Sequence, residues 1–515
     1  MVIKSAVLLV FFAITIGVGI YCRKHSTNVR GFVWGGRNVG PWLTAFAYGT
    51  SYFSAVIFVG YAGQFGWKFG VASTWIGLGN AFIGSLLAWV ILGRRTRLMT
   101  QHLHTSTMPE FFGKRYDSTS LKIIASLIVF VFLIPYTASL YNGLSRLFEM
   151  AFPGVDYSAC VIVMAVLTCI YVMAGGYMAT AVNDFIQGII MLIGIVAVIF
   201  AVLSKNGGLL SSLQVLAQIS DPAVSDAPGL FASLFGPKPF DLFFVVILTS
   251  LGTWGLPQMV QKFYAIKNEK DITKGTVIST VFAVIIAGGC YFLGGFGRLF
   301  TPELASAGLI PMKEFDAIIP TMLSGLGDVL IAVVIVLVLS ASMSTLSSLV
   351  LTSSSTLTLD LIKDHIVKKI SEKKQVFIMR IFVVVFIVIS AYIALNKDKL
   401  SAIADMMGIS WGALAGAFLT PFLFGLYWKK ATKISCYACF IFSSAVMVLN
   451  MLARPYFPKL LQSPINCGVV VMLSGFIIVP LVSLITKKPN KEKVDEMFSC
   501  YETPVASITE KTLGN

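Results

Sequence analysis

Between residues 340 and 348 an otherwise apolar segment carries Ser340, Ser342, Ser344, Thr345, Ser347 and Ser348. In a helix, Ala341, Ser344, Thr345 and Ser348 share one face with Ser347 at its border, because residues three and four apart stack. Hydroxyl and carbonyl oxygens suit hard cations, so such a face can replace part of an ion's hydration shell. The same composition also serves helix packing in a membrane, where small residues let backbones approach. The run alone leaves both readings open.

A second chemical signal is Asp184, an acid about one turn inside an apolar stretch. A carboxylate at that depth is costly unless it faces water, a cation or another partner; it can also cap or snorkel at an interface. Two further stretches interrupt apolar runs. Gly49, Thr50, Ser51 and Ser54 fall together where helix formers are expected, and an unwound turn there frees carbonyls such as those of Thr50 and Phe53. Thr249, Gly252, Thr253, Gly255 and Pro257 interrupt another, since proline removes a backbone donor and glycine weakens a helix. Free carbonyls at membrane depth are tolerated where they line a cavity or bind something. Tyr136, beside Pro135 in a further apolar run, can contact a solute or pack with its hydroxyl satisfied.

The elements that must hold these residues are membrane spans. The chain is 57% hydrophobic and 12% charged, with repeated apolar runs long enough to cross a bilayer. The runs are 3–21, 40–66, 71–92, 121–147, 158–174, 179–203, 239–261, 275–297, 325–359, 375–395, 401–427, 433–453 and 466–486, predicting thirteen transmembrane helices. The net charge of +15 does not imply nucleic acid, because basic residues crowd alternate connections at 23–37, 94–115, 262–274, 363–374, 429–433 and 487–493. That alternation predicts the N-terminus outside and the C-terminus cytoplasmic. The first run, with its basic flank after it, reads as an anchor rather than a cleaved leader.

The two interrupted runs each open a block of five, which predicts two repeats inverted in the membrane with a site between them. The implied organisation is an extra helix and basic loop at 1–39, a first repeat at 40–203, an external loop at 204–238, a second repeat at 239–427, two further helices at 428–486 and a disordered cytoplasmic tail at 487–515. Cys436 and Cys439 open an apolar helix without a second pair, so no transition-metal site is expected. No nucleophile and base pair appears in the spans, and no GxxxxGK[ST] loop, so neither an enzyme nor ATP-driven transport is expected.

Gly35-Gly36-Arg37, the 171–177 stretch YVMAGGY, Gly255-Leu256-Pro257-Gln258 through Lys262-Phe263, and the hydroxyl run occur in an order that resembles the sodium/solute symporter family, with its proline, pantothenate, sialic acid and sugar symporters, over roughly 30–430. The resemblance implies an all-α polytopic membrane protein with a five-plus-five inverted-repeat (LeuT-like) core. It also implies one or two sodium ions as the coupling cofactor. By position, the main sodium site would use the carbonyls of Thr50, Phe53 and Ala341 with the hydroxyls of Ser344 and Thr345. A second sodium site would join Asp184 to Ser344, Ser347 and Ser348. The solute positions would be Tyr52, Ser54, Tyr136, Ser139, Thr249, Thr253 and Pro257. The 136–139 and 146–149 stretches look close to proline symporters, while Tyr52, Thr249 and Thr253 stand where those have an acid and aromatics.

The expected function is sodium-coupled import of a small polar organic solute, an amino acid such as proline or an organic acid. The alternatives are a proton-coupled or uncoupled transporter of the same fold, or a solute sensor. Expected partners are the solute, Na+ and the lipid bilayer, with a monomer sufficient. A bacterial inner membrane is the expected location.

Overall fold

The structure, a computed structural model, describes residues 2–23, 28–37, 39–152, 154–222, 224, 227–306, 308–310, 314–366, 370–396 and 403–502. Helices make up nearly all of it, and among the described residues the only β feature is an isolated bridge between Val39 and Ile266. Among the described residues, ten helices are long and apolar enough to cross a membrane, or eleven if the bent pair Pro239–Gly255 and Pro257–Tyr264 is one span. Val56–His102 is a nearly continuous helical run of 47 residues. At 1.5 Å per residue that exceeds any single bilayer crossing. The chain divides it at Gly70, whose φ of +63° interrupts the helix.

Large apolar side chains point outward along several helices: Phe200 is 75% exposed, Tyr392 68% and Leu452 72%. A surface of that kind is stable in lipid rather than in water. The hydroxyl run sits at the other extreme. It lies in Asp328–Thr356, where every residue from Val334 to Thr356 is buried. This central helix packs against Thr119–Ala151, the Tyr157–Lys205 element, Pro41–Tyr52 and Val2–Cys22.

Both expected interruptions are present. The first helix of the 40–203 block ends at Tyr52, and Phe53 is extended (φ −100°, ψ 131°) before helix resumes as Val56–Tyr61 and Ala62–Phe69. In the second block, Pro239–Leu251 tightens at Gly252–Gly255, Leu256 is extended (φ −83°, ψ 120°), and Pro257 starts the next helix at a bend of 48°. Proline is tolerated in a first turn and pushes its predecessor out of the helical region, so Leu256-Pro257 sets this break.

Gly176 separates two helices within Tyr157–Lys205, with φ 55° and ψ −152°. That region is essentially restricted to glycine, and a Cβ there would lie 3.0 Å from the Phe32 carbonyl oxygen. Gly176→Ala is therefore expected to cost about 1–3 kcal/mol. A thermal unfolding midpoint in detergent unchanged from the native protein would contradict this.

Part of the expected disordered tail is folded. Lys491–Ser499 is a helix capped by Asn490 and followed by a 3-10 turn, Cys500–Glu502. Val494, Met497, Phe498 and Tyr501 form an i, i+3, i+4, i+7 stripe, and Val494 and Phe498 are buried. Lys493 pairs with Asp117 and Lys429 with Asp495, fastening it to the basic connections. Residues 503–515 lie outside the described residues.

Candidate functional site

The break at Phe53 and the hydroxyl helix face each other. The Ala55 N–H, which a continuous helix would give to the Ser51 carbonyl, donates instead to Ser342 Oγ at 3.2 Å. The freed carbonyls converge on one hydroxyl. Thr345 Oγ1 lies 3.3 Å from the carbonyl oxygens of Thr50, Ser51 and Phe53, and 3.0 Å from that of Ala341. A threonine hydroxyl has one proton. Four carbonyl dipoles around it leave an excess of negative potential in a dry environment. Ser344 Oγ donates to Thr50 Oγ1 at 2.8 Å, so it stands beside this cluster. All five residues expected at the main site are thus adjacent, and the Ser51 carbonyl, absent from the sequence reading, joins them.

Asp184 lies beside the same hydroxyl face. It is fully buried, and neither carboxylate oxygen has a hydrogen-bond partner among the described residues. Its neighbours are Ser344 and the ammonium of Lys262, with Nζ 3.9 Å from Oδ2. Lys262 also donates to Ser348 Oγ at 3.0 Å, and Ser348 Oγ is 2.8 Å from Ser51 Oγ. Ser347 turns its hydroxyl back to the Ser344 carbonyl at 2.8 Å. The structure therefore adds a cation of the chain's own to the expected second-site residues. The sequence reading counted Lys262 among the basic connections; the structure instead buries it within Pro257–Tyr264.

The expected solute residues separate into two groups. Tyr52, Ser54 and Tyr136 gather around Trp411: the Tyr52 ring stacks on it at 6.1 Å, and Tyr136 meets it edge-on at 5.9 Å. The Tyr136 hydroxyl faces Ser54 and Trp411. Ser54 Oγ, Tyr136 OH and Trp411 Nε1 are buried without hydrogen-bond partners among the described residues. The other hydroxyls are spent on backbone carbonyls: Ser139 on Tyr136 and Thr249 on Val245 within their own helices, and Thr253 on Ser250 and, across the packing, on Gly84 at 3.4 Å. Tyr52 donates to the Thr249 carbonyl, so Thr249 contributes backbone rather than side chain. Pro257 starts the half-helix beyond the break. Trp411, on Ile403–Tyr427, was not among the expected solute residues; its contact with Tyr52 needs the fold.

Beside Phe53 and Ser54 a cavity of about 10 Å3 reaches Ala341 and Leu337. A separate vestibule of about 1060 Å3 is lined by Gln64, Lys68, Asp241, Arg298, Asp405 and Arg454. Its walls are tied by the pairs Arg298–Asp221 at 2.9 Å and Arg454–Asp405 at 2.7 Å.

Comparison with known proteins follows this geometry. The sodium:solute symporter family model matches residues 32–441. The chain is 30% identical to the sodium/proline symporter of Staphylococcus aureus (strain JH9), over 94% of this chain and 92% of that protein. It is 29% identical to the osmoregulated proline transporter OpuE of Bacillus subtilis (strain 168), over 94% of each. A solved sodium-coupled sialic acid symporter in a substrate-bound outward-open state has a similar fold, with a TM-score of 0.74 and 17% identity over 95% of this chain and 99% of that one. The LeuT-like inverted-repeat fold class is thereby established.

Proposed function

Because this chain belongs to the sodium:solute symporter family, we propose that the Phe53 break and the hydroxyl helix hold the sodium ion that drives uptake of a small polar solute of amino-acid size. The chain is an integral multi-pass membrane protein and a sodium-coupled symporter. The carbonyls of Thr50, Phe53 and Ala341 and the hydroxyls of Ser344 and Thr345 are the ion's ligands, joined by the Ser51 carbonyl. The observation that carries this reading is the single Thr345 hydroxyl facing four carbonyl oxygens. A hard cation satisfies all of them at once.

The ion bridges the first broken segment and the hydroxyl helix, and so positions Phe53 and Ser54 at the edge of the solute site. The coupling is reciprocal: solute must tighten sodium as much as sodium tightens solute. One charge yields about 2.3 kcal/mol per 100 mV, and a tenfold sodium gradient adds about 1.4 kcal/mol. One sodium per cycle therefore sustains a several-hundred-fold gradient of a neutral solute. The basic connections meet the C-terminal helix through Lys493–Asp117, Lys429–Asp495 and Arg94 to the Tyr501 carbonyl. Their gathering at one end supports a cytoplasmic C-terminus and an external N-terminus in a bacterial inner membrane.

The solute lies among Tyr52, Ser54, Tyr136 and Trp411. Aromatic faces accept a compact apolar body, and three polar atoms without hydrogen-bond partners among the described residues accept its polar ends. This suits an amino acid such as proline. Tyr136→Phe and Trp411→Phe are each expected to raise the solute KM by roughly tenfold, the loss of one buried hydrogen bond. Sodium binding without solute should stay within about twofold of native.

The direct test is thermal stabilisation of the purified protein by sodium against choline, across amino acids, monocarboxylates, sugars and sialic acid. Stabilisation by one solute class only with sodium present supports the reading. No sodium effect on folded protein removes it in favour of proton coupling or sensing.

A further inference from the structure

The residues expected to hold a second sodium do not fit that role in this chain, because their cation is already supplied. Lys262 Nζ sits 3.0 Å from Ser348 Oγ and 3.9 Å from Asp184 Oδ2, with its side chain 4% exposed and that of Asp184 fully buried. It also lies 5.3 Å over the Tyr177 ring, whose face attracts cations. An ammonium is a compact point charge with three donors, and here it meets a serine oxygen and a carboxylate, the oxygen types a sodium ion would take. A mobile cation entering the same space would have to displace a charge of its own sign from a dry site. We infer that Lys262 is a tethered cation occupying the Asp184–Ser348 position, so that the chain binds and moves one sodium ion per cycle. This deepens the sodium reading above and rests on it.

Lys262 stands on Pro257–Tyr264, the half-helix beyond the break in the second block. Through Ser348 and Ser51 it reaches the carbonyl cluster around Thr345. A charge fixed to the chain returns with it after each cycle and takes nothing from the sodium gradient. It holds the half-helix against Asp184 in every sodium-bound state, a role a released ion cannot play.

The test counts radioactive sodium bound at saturation by purified native protein, by Lys262→Met and by the double variant Asp184→Asn/Lys262→Met. Charge moved per solute is also measured in proteoliposomes of the native protein. The expected counts are one for native, two for Lys262→Met, whose bared carboxylate admits a second ion, and one for the double variant. A native count of two, or more than one charge per neutral solute, overturns the inference even if Lys262→Met does not fold. So does a folded Lys262→Met that still binds one. A native count of zero fails differently: it removes the sodium site itself.

Discussion

Replacing Thr345 by alanine is expected to raise the sodium concentration that half-activates uptake by roughly tenfold or more, equivalent to about 1.4 kcal/mol or above. The Thr345 hydroxyl stands within 3.3 Å of four carbonyl oxygens drawn from both sides of the site. Without it the ion loses a ligand and the carbonyls lose the donor that holds them together when the ion departs. Ser344→Ala is expected to do less, about threefold, because Ser344 Oγ bonds to the Thr50 hydroxyl rather than to a freed carbonyl. Thr345→Ser keeps the oxygen and should remain near native. Uptake of labelled solute into proteoliposomes, measured against sodium at fixed solute, orders the three variants. Equal activation by native protein and Thr345→Ala would remove the site assignment.

The second large effect concerns stability. Asp184→Ala leaves the Lys262 ammonium buried without its counter-charge, and removal of one partner of a buried pair typically costs about 3–5 kcal/mol. Replacing both charges by neutral groups of similar shape is usually far cheaper than replacing one. The double variant Asp184→Asn/Lys262→Met should therefore unfold near the native temperature, while Asp184→Ala unfolds well below it. The cycle of Asp184→Asn, Lys262→Met and their double variant isolates the pair if each single change adds no new contact. Strictly additive losses would show that the two side chains, although 3.9 Å apart, do not act as a pair. Sodium should also restore part of the stability lost in Lys262→Met, since an ion that binds only the folded state stabilises it. It should restore little in Asp184→Ala, where no carboxylate remains to receive it.

Several features were written into the sequence because they arise from local chemistry. Apolar length predicts membrane helices, and Gly252, Gly255 and Pro257 together predict a break, since proline removes a backbone donor and glycine weakens the helix before it. The resemblance to the sodium/solute symporter family placed Thr50, Phe53, Ala341, Ser344 and Thr345 in one candidate set, and the fold sets them side by side. The tail was misjudged for a local reason too: Val494, Met497, Phe498 and Tyr501 make a stripe too short to register without the surface it covers.

What only the tertiary structure decided are relations between distant segments. Nothing near Asp184 in sequence announces Lys262, 78 positions on, as its neighbour. Nothing near Thr249 or Thr253 shows that their hydroxyls are spent on backbone carbonyls, whereas those of Ser54 and Tyr136 have no hydrogen-bond partner among the described residues. A side chain's type limits which bonds it can make; the packing of helices from both blocks decides which are already made. That is why the candidate sodium ligands could be named from the family resemblance, while the contacts of the candidate solute residues and the charge balance at Asp184 could not.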